Sequence, residues 1–216
     1  MDLVAELSRT PGVEVVVVDG DPLGSTLDAL HGTGVKTCTA GPGRAAQMNA
    51  GAGMASGEIL LFLHADTKLP EGWLSAVREV LGRGFARCGA FGLEFCAAGL
   101  PGRWIGAWAR FRSRLDRRPY GDQAQFFAAD FFQELGGYAD LPIMEDVEIM
   151  GRAVLAGHPP SILPLRVQTS FRRYQAEGWL KRGALNILMR AAFALGVPAT
   201  RLSGWYRPHT PTETAE

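Results

Sequence analysis

Cysteine is scarce in this chain of 216 residues: Cys38, Cys88 and Cys96 are its only three. Their odd number, apolar surroundings and lack of CxxC spacing argue against a disulfide framework or a zinc site, and point to buried, reduced thiols in a cytosolic protein. An excess of positive charge is also missing. Lys and Arg number 22 and so do Asp and Glu, so the sequence-independent attraction that a nucleic-acid binder needs is not there. No run approaches the roughly 18 apolar residues of a membrane span, and the N-terminus MDLVAELSRTPG has no basic segment followed by an apolar one, as a secretory leader would. Internal repeats are lacking too. Only the polar tail at residues 208–216 is low in complexity, which leaves residues 1–207 as one expected domain.

What is present alternates between strand-like and helix-like segments. Leu3, Val4 and Leu7 share a helical face that Pro11-Gly12 ends, and VEVVVV at residues 13–18 is the composition of a buried strand. Asp19-Gly20-Asp21-Pro22 makes a turn, Ser25 or Thr26 is placed to cap a second helix, and Val35 to Thr39 is a short strand. Gly41-Pro42-Gly43 opens a helix so rich in Ala and Gly that close approach to a sheet is its expected use. The apolar run EILLFL, residues 58–63, follows as another strand. Pro70 is expected to open a helix that runs to Arg83, and Phe85 to Ala97 to form an irregular strand. Such alternation predicts a parallel or mixed sheet flanked by helices.

Beyond Pro101 the residues Trp104, Trp108, Phe111 and Leu115 recur at helical spacing, with arginines between them. Two readings fit: an apolar stripe turned to the core with a solvated basic face, which is favoured, or a membrane-surface helix. YGDQ at 120–123 precedes an aromatic run, and MEDVEIMGR begins a helix with acidic residues. Ile162 to Val167 is a further strand, and a last long helix covers about Glu177 to Leu195, before Gly196 and Pro198.

Four groups of residues carry potential chemistry. Asp19 ends a buried strand at the carboxyl edge of a sheet, where a carboxylate is placed either to contact a ribose or base or to form a turn. Arg44 and Asn49 flank the start of a helix, where N–H groups and a guanidinium favour phosphate; their alternatives are a surface charge and a structural amide. His64 and Asp66 stand two apart at a strand end, and if the backbone stays extended both side chains point one way, toward a shared divalent ion. An imidazole beside a carboxylate shifts the choice toward Mn²⁺ over Mg²⁺. Glu145 and Asp146, adjacent at a helix start, point in different directions, and one of them is a candidate base. Arg172 and Arg173 form a possible phosphate clamp or a solvated pair.

Taken in order, VVVVDG, GRAAQMNAGAGMASGEILLFLHADT, YGDQ, MEDVEIMGR and TSFRRY resemble the family-2 inverting glycosyltransferases, and within them a small bacterial subgroup with His-Ala-Asp in place of Asp-x-Asp. The resemblance covers roughly residues 13 to 207. It implies an α/β glycosyltransferase A-type fold, a Rossmann-like and mostly parallel mixed sheet flanked by helices that binds a nucleotide-sugar at its carboxyl edge. It also implies roles: Asp19 for the nucleoside, Arg44 near the nucleotide, Asp66 for the diphosphate-bound metal with His64 in the place of its usual partner, and Asp146 as general base beside Glu145. Asp122 and Gln123 would line the acceptor side and Arg172 and Arg173 would contact the diphosphate. The implied reaction is metal-assisted, hexosyltransferase-like transfer from a nucleoside-diphosphate sugar to an acceptor hydroxyl. The Trp-bearing basic helix and the apolar C-terminal helix suggest a lipid-like acceptor and peripheral association with the inner membrane face.

The chain departs from that family at two places. Similar proteins open with an apolar central strand and an Asn-Glu turn, whereas this one opens on a helix, so the first strand is expected to be lacking, with two adjacent strand edges left unbridged. A start set too late, or a fragment, would explain it, at the cost of nucleoside contacts. DGDPLGST also departs from the DGGSTDGT-like turn. Two rivals stand beside the glycosyltransferase reading: a sugar-phosphate nucleotidyltransferase of related fold, and an impaired nucleotide-sugar-binding scaffold.

Overall fold

A computed structural model of the chain describes residues 2–206, apart from 22, 23, 25, 26, 28, 31 and 97. The expected Ser25 or Thr26 cap lies outside the described residues. Helix α1 (Asp2–Ser8) leads to β1 (Val16–Asp19), which pairs in parallel with β2 (Lys36–Thr39), Asp19 lying opposite Thr39. Helix α2 (Arg44–Met54) then connects to β3 (Ile59–Leu61), α3 (Trp73–Gly82), β4 (Cys88–Phe95) and α4 (Gly99–Asp116). Strand β5 (Phe126–Ala128) and helices α5 (Ala129–Glu134) and α6 (Glu145–Leu155) follow, then β6 (Ser161–Thr169) and α7 (Arg172–Glu177), α8 (Trp179–Ala194) and α9 (Ala199–Ser203).

Strands β3 to β6 form a second sheet in the order β3-β5-β4-β6. Strand β5 runs antiparallel to both β3 and β4, and β4 runs parallel to β6, so three strands share a direction and only β5 opposes them. Among the described residues the two sheets are not joined by a strand ladder. One edge of β1 and one edge of β3 therefore lack a strand partner among those residues.

Helix α2 touches both sheets, and its composition explains how. A Cβ on Gly51 would stand 3.1 Å from Val18 Cγ2 on β1, while Ala45, Met48 and Ala52 pack in the cluster that holds Leu60 and Phe127 of the other sheet. Small side chains let one helix bridge two surfaces that a larger residue would force apart. Beneath it, Phe62, Phe127, Phe132 and Tyr138 meet edge to face at centroid distances of 5.0 to 6.3 Å, except for a tilted Phe62–Phe132 pair.

Two expectations need correction. The aromatic stripe of α4 does not face the core: its buried residues are Gly102, Gly106, Ala109 and Ser113, while Trp104, Trp108, Phe111 and Leu115 are exposed. The cause is contact distance, since a Cβ on Gly106 would already meet the Leu93 carbonyl oxygen at 3.2 Å, and indole rings do not fit such a seam. Only Cys88 of the three free thiols is buried, with Cys38 half-buried and Cys96 exposed; burial pushes the Cys88 thiol up to about 12 and leaves it inert. The expected C-terminal helix at about Glu177 to Leu195 is present as α8, and Gly178, whose φ of 83° is left-handed, separates it from the short α7. Among the described residues no helix is long and apolar enough to cross a membrane.

Candidate active site

The shared direction of β3, β4 and β6 puts their carboxyl ends on one side of the sheet, with the start of the opposed β5 among them. His64 and Asp66 follow β3, the short helical turn Gly121–Gln123 precedes β5, and Ser170 and Arg172 follow β6. Lys68 and Gln168 exchange backbone hydrogen bonds of 2.8 and 3.0 Å, and the Thr67 hydroxyl donates to Thr169 Oγ1 at 3.1 Å. These bonds tie the loop after β3 to the end of β6.

Asp146 lies at the centre of this edge. It occupies the first turn of α6 together with Glu145 and Glu148, where exposed N–H groups and the helix dipole favour negative charge. The Gly121 N–H donates to Asp146 Oδ2 at 2.7 Å, and the Val147 N–H to Oδ1 at 2.7 Å. A Cβ on Gly121 would meet His64 Nε2 at 3.2 Å and Asp146 Oδ2 at 3.4 Å, so Gly121 allows imidazole and carboxylate to share one wall. Burial, and then Arg44, lower the His64 pKa below its ordinary value against the pull of Asp146 and Asp66. The imidazole is therefore neutral at pH 7, the state able to ligate a metal or accept a proton.

Arg44, at the start of α2, is the cation of the cluster. Its Nε lies 2.9 Å from Glu145 Oε1. Burial works against its charge, but Asp146, Glu145 and Asp122 outweigh that and hold its pKa above the ordinary value. Glu145 is 2% exposed; burial and Asp146 push its carboxyl up against the opposing Arg44. Two carboxylate oxygens in this group, Asp122 Oδ1 and Glu145 Oε2, are buried without a hydrogen-bond partner among the described residues. Unpaired buried oxygens are costly unless a ligand, ion or water completes them.

Burial first, then Asp146, raise the Asp122 pKa to about 6. The folded state thus binds this proton more tightly than the unfolded chain does. The sign follows: the stability contributed by the group is greatest below the ordinary Asp value of 3.8 and falls away as pH rises to about 6. Asp122→Asn, which mimics the protonated acid at every pH, should melt progressively higher than the wild type as pH rises through this window. Thermal melts of both proteins at successive pH values check this, and parallel curves would refute it.

The remaining predicted site residues fall into two groups. Asp19 ends β1 and accepts the Asp21 N–H at 2.9 Å, a turn at the carboxyl end of its own two-stranded sheet. Asp66 is exposed, and Arg172 is exposed beside the Ser170 hydroxyl, to which its Nε donates at 3.1 Å. Arg173 is engaged locally, donating to Glu177 Oε1 at 2.9 Å and lying 4.0 Å over the Tyr206 ring. Both ends of the Asn49 amide are used on Tyr138, donating to its C=O at 2.8 Å and accepting its N–H at 2.9 Å. Gln123 is fully buried: it accepts the Ser113 hydroxyl at 2.7 Å and the Tyr120 N–H at 3.2 Å, and donates to the Phe91 carbonyl at 2.8 Å. It braces the turn behind Asp122 and has no exposed surface with which to line a cleft.

The His64 and Asp66 geometry also differs from expectation. A turn closed by the Thr67 N–H donating to the His64 carbonyl at 3.0 Å replaces the extended backbone, so the two side chains are not aligned by strand alternation. Among the described residues no three potential metal ligands converge.

Sequence reasoning missed Gly121, Gln125 and Tyr206. Gln125 is buried under Asp146, donating to the carbonyls of Asp146 and Pro119 at 3.0 Å each and accepting the Tyr138 hydroxyl at 2.8 Å. A polar residue next to two phenylalanines was the available signal. Tyr206 is near Arg44, Arg173 and Arg182, and nothing in its local sequence marked it. Ala124, two residues after Asp122, and Met144, two before Asp146, adopt left-handed φ values of 48° and 67°; such strain on non-glycine residues is frequent where a site fixes its backbone.

Comparison with known proteins adds to this geometry. The sequence model of glycosyl transferase family 2 matches residues 2–132, more than half of the chain. No curated protein matches. Among solved structures, TarS 1–349 of S. aureus in complex with UDP-GlcNAc is similar with a TM-score of 0.57 at 17% identity, over 78% of this chain and 54% of that one. A mannosyltransferase from Pyrobaculum calidifontis in complex with GDP-Man and Mn²⁺ is similar with a TM-score of 0.58 at 18% identity, over 97% of this chain and 60% of that one. At these identities the likeness is one of fold, a glycosyltransferase A-type α/β architecture with a mixed sheet, and the chain spans less than two thirds of either structure. The family match ends before Glu145 and Asp146.

Proposed function

Because the chain belongs to glycosyl transferase family 2, we propose that it transfers a sugar from a nucleoside-diphosphate sugar to an acceptor hydroxyl, with inversion and with Asp146 as general base. The observation that carries this reading is the placement of Asp146: a carboxylate at a helix start, aimed by the Gly121 N–H and set between His64 and the buried acids at the carboxyl edge of the sheet. Asp146 takes the proton of the acceptor hydroxyl. The acceptor oxygen bonds to the anomeric carbon as the bond from that carbon to the diphosphate oxygen breaks, and the electron pair leaves with the nucleoside diphosphate. Arg44, held on Glu145, and the exposed Arg172 supply positive charge to that leaving group. Arg173 backs the same loop, Asp19 contacts the nucleoside, and Asp122 faces the acceptor with Gln123 bracing it from behind. Asn49 acts by fixing α2 to the segment at Tyr138.

The exposed carboxylate of Asp66 and the neutral imidazole of His64 fit a divalent ion that keeps part of its shell for water and phosphate oxygens. Bound there, Mn²⁺ or Mg²⁺ would neutralise diphosphate charge; the Pyrobaculum mannosyltransferase is in complex with GDP-Man and Mn²⁺, which supports the choice of ion.

A thermal-shift panel of UDP-GlcNAc, GDP-Man and the free diphosphates, with and without Mn²⁺, tests this reading. A true donor at about 100 times its Kd should stabilise the fold by about 2.7 kcal/mol, and Mn²⁺ should enlarge the shift. Stabilisation by a nucleoside triphosphate with a sugar phosphate, and by no nucleotide-sugar, would favour a nucleotidyltransferase. Donor binding that never releases a nucleoside diphosphate with any acceptor would favour a scaffold.

A further inference from the structure

We propose that α4 and α8 form a docking surface for an anionic lipid bilayer. Of thirteen large apolar side chains exposed among the described residues, five lie on α4 and four on α8, so the apolar surface is concentrated on two helices instead of being scattered. On α4, Trp104 is 72% exposed and Leu115 74%, with Trp108 and Phe111 between them. Trp108 and Phe111 hold their rings 5.9 Å apart, an aromatic ridge along the outer face of the helix. On α8, Leu180 and Leu188 are exposed. The two helices are tied together where Arg190 on α8 donates to Asp116 at the end of α4, 2.6 Å away.

Charge decides the occupant. Asp116 is the only acid on either helix, and it is already engaged by Arg190 and Arg112. Arg103 and Arg114 stand exposed beside the Trp104–Leu115 ridge with no acidic partner among the described residues. A second copy of the chain would bring two cationic faces together, whereas a bilayer with anionic headgroups accepts arginines at the headgroup level and indole rings at the interface. No helix among the described residues can cross the bilayer, so α4 lies in its plane, in the manner of a basic amphipathic helix. The small-residue seam of Gly102, Gly106, Ala109 and Ser113 belongs to the same design, since it uses the inner face for contact with β4, with Ile105 half-buried against the core, and leaves the other large apolar residues outside. The carboxyl end of α4 leads through Tyr120 into Gly121 and Asp122, which links the docking surface to the candidate site.

The proposal does not depend on sugar transfer, and binding alone tests it. Full-length protein is sedimented with vesicles of phosphatidylcholine alone and of phosphatidylcholine mixed with phosphatidylglycerol, and tryptophan emission is followed with brominated lipid as quencher. The expected result is partition onto the phosphatidylglycerol vesicles, with quenching of tryptophan. The double variant Trp104→Ser, Trp108→Ser should weaken partition about a hundredfold, and Arg103→Glu with Arg114→Glu by at least about tenfold. All four positions are exposed, so melting curves should be unchanged. Failure to partition onto either vesicle, or equal partition of the double tryptophan variant, would overturn the proposal. So would a dimer in sedimentation velocity that the tryptophan variant dissolves, because the face would then be an interface between copies.

Discussion

Asp146→Asn is expected to lower turnover about a thousandfold while leaving donor binding intact. An amide oxygen still accepts the Gly121 N–H that now reaches Oδ2, so the turn before β5 and the start of α6 keep their connection. What disappears is a group able to take a proton from the acceptor. The measurement pairs nucleoside-diphosphate release with the thermal shift produced by the donor, and the expected signature is loss of the first with retention of the second. Unchanged turnover would remove Asp146 from the role of base. Asp122 would then be examined next, because burial raises its pKa to about 6 and it interacts electrostatically with Asp146. Loss of both binding and turnover would instead make Asp146 a structural acid of the helix terminus.

Gln125→Leu should produce the largest loss of stability among conservative changes near the site, about 3 kcal/mol. The replacement has similar volume and adds no charge. It removes three partners at once, however, because the Gln125 amide serves the carbonyls of Pro119 and Asp146 and the hydroxyl of Tyr138. The site is fully buried, so the orphaned groups cannot turn to water. Denaturant unfolding of the two proteins gives the difference directly. A loss well under 1 kcal/mol would mean that the network relaxes around leucine, and that Gln125 does not hold the segment at Pro119 against the start of α6. Because the Asp146 backbone is one of its partners, reduced turnover in this variant at temperatures where it remains folded would reflect mispositioning of Asp146.

The part of the fold legible in the sequence is the part governed by local rules. VVVV, EILLFL and the acidic start of MEDVEIMGR revealed two strands and a helix start through composition and dipole complementation. β5 was hidden, because FFAADFF has neither strand alternation nor a boundary signal, and its pairing between β3 and β4 defines it. The small residues of α4 were visible at spacings of four, three and four, yet the tryptophans outweighed them in a reading by hydrophobicity. Only contact with β4 shows which side of that helix has room for a side chain.

The same division runs through the site. Sequence order was enough to nominate Arg44, Asp66, Glu145 and Asp146, since type, position and motif order are written in the chain. It could not pair Arg44 with Glu145, seat His64 beside Gly121, turn Asn49 inward to Tyr138 or bury Gln123, because each depends on residues far apart in sequence meeting across the sheet edge. Residue chemistry and local conformation were thus determined by the sequence itself. Burial, neighbouring charge and the raised pKa of Asp122 were decided only by tertiary structure, because desolvation and electrostatic interaction depend on distances in space and not along the chain.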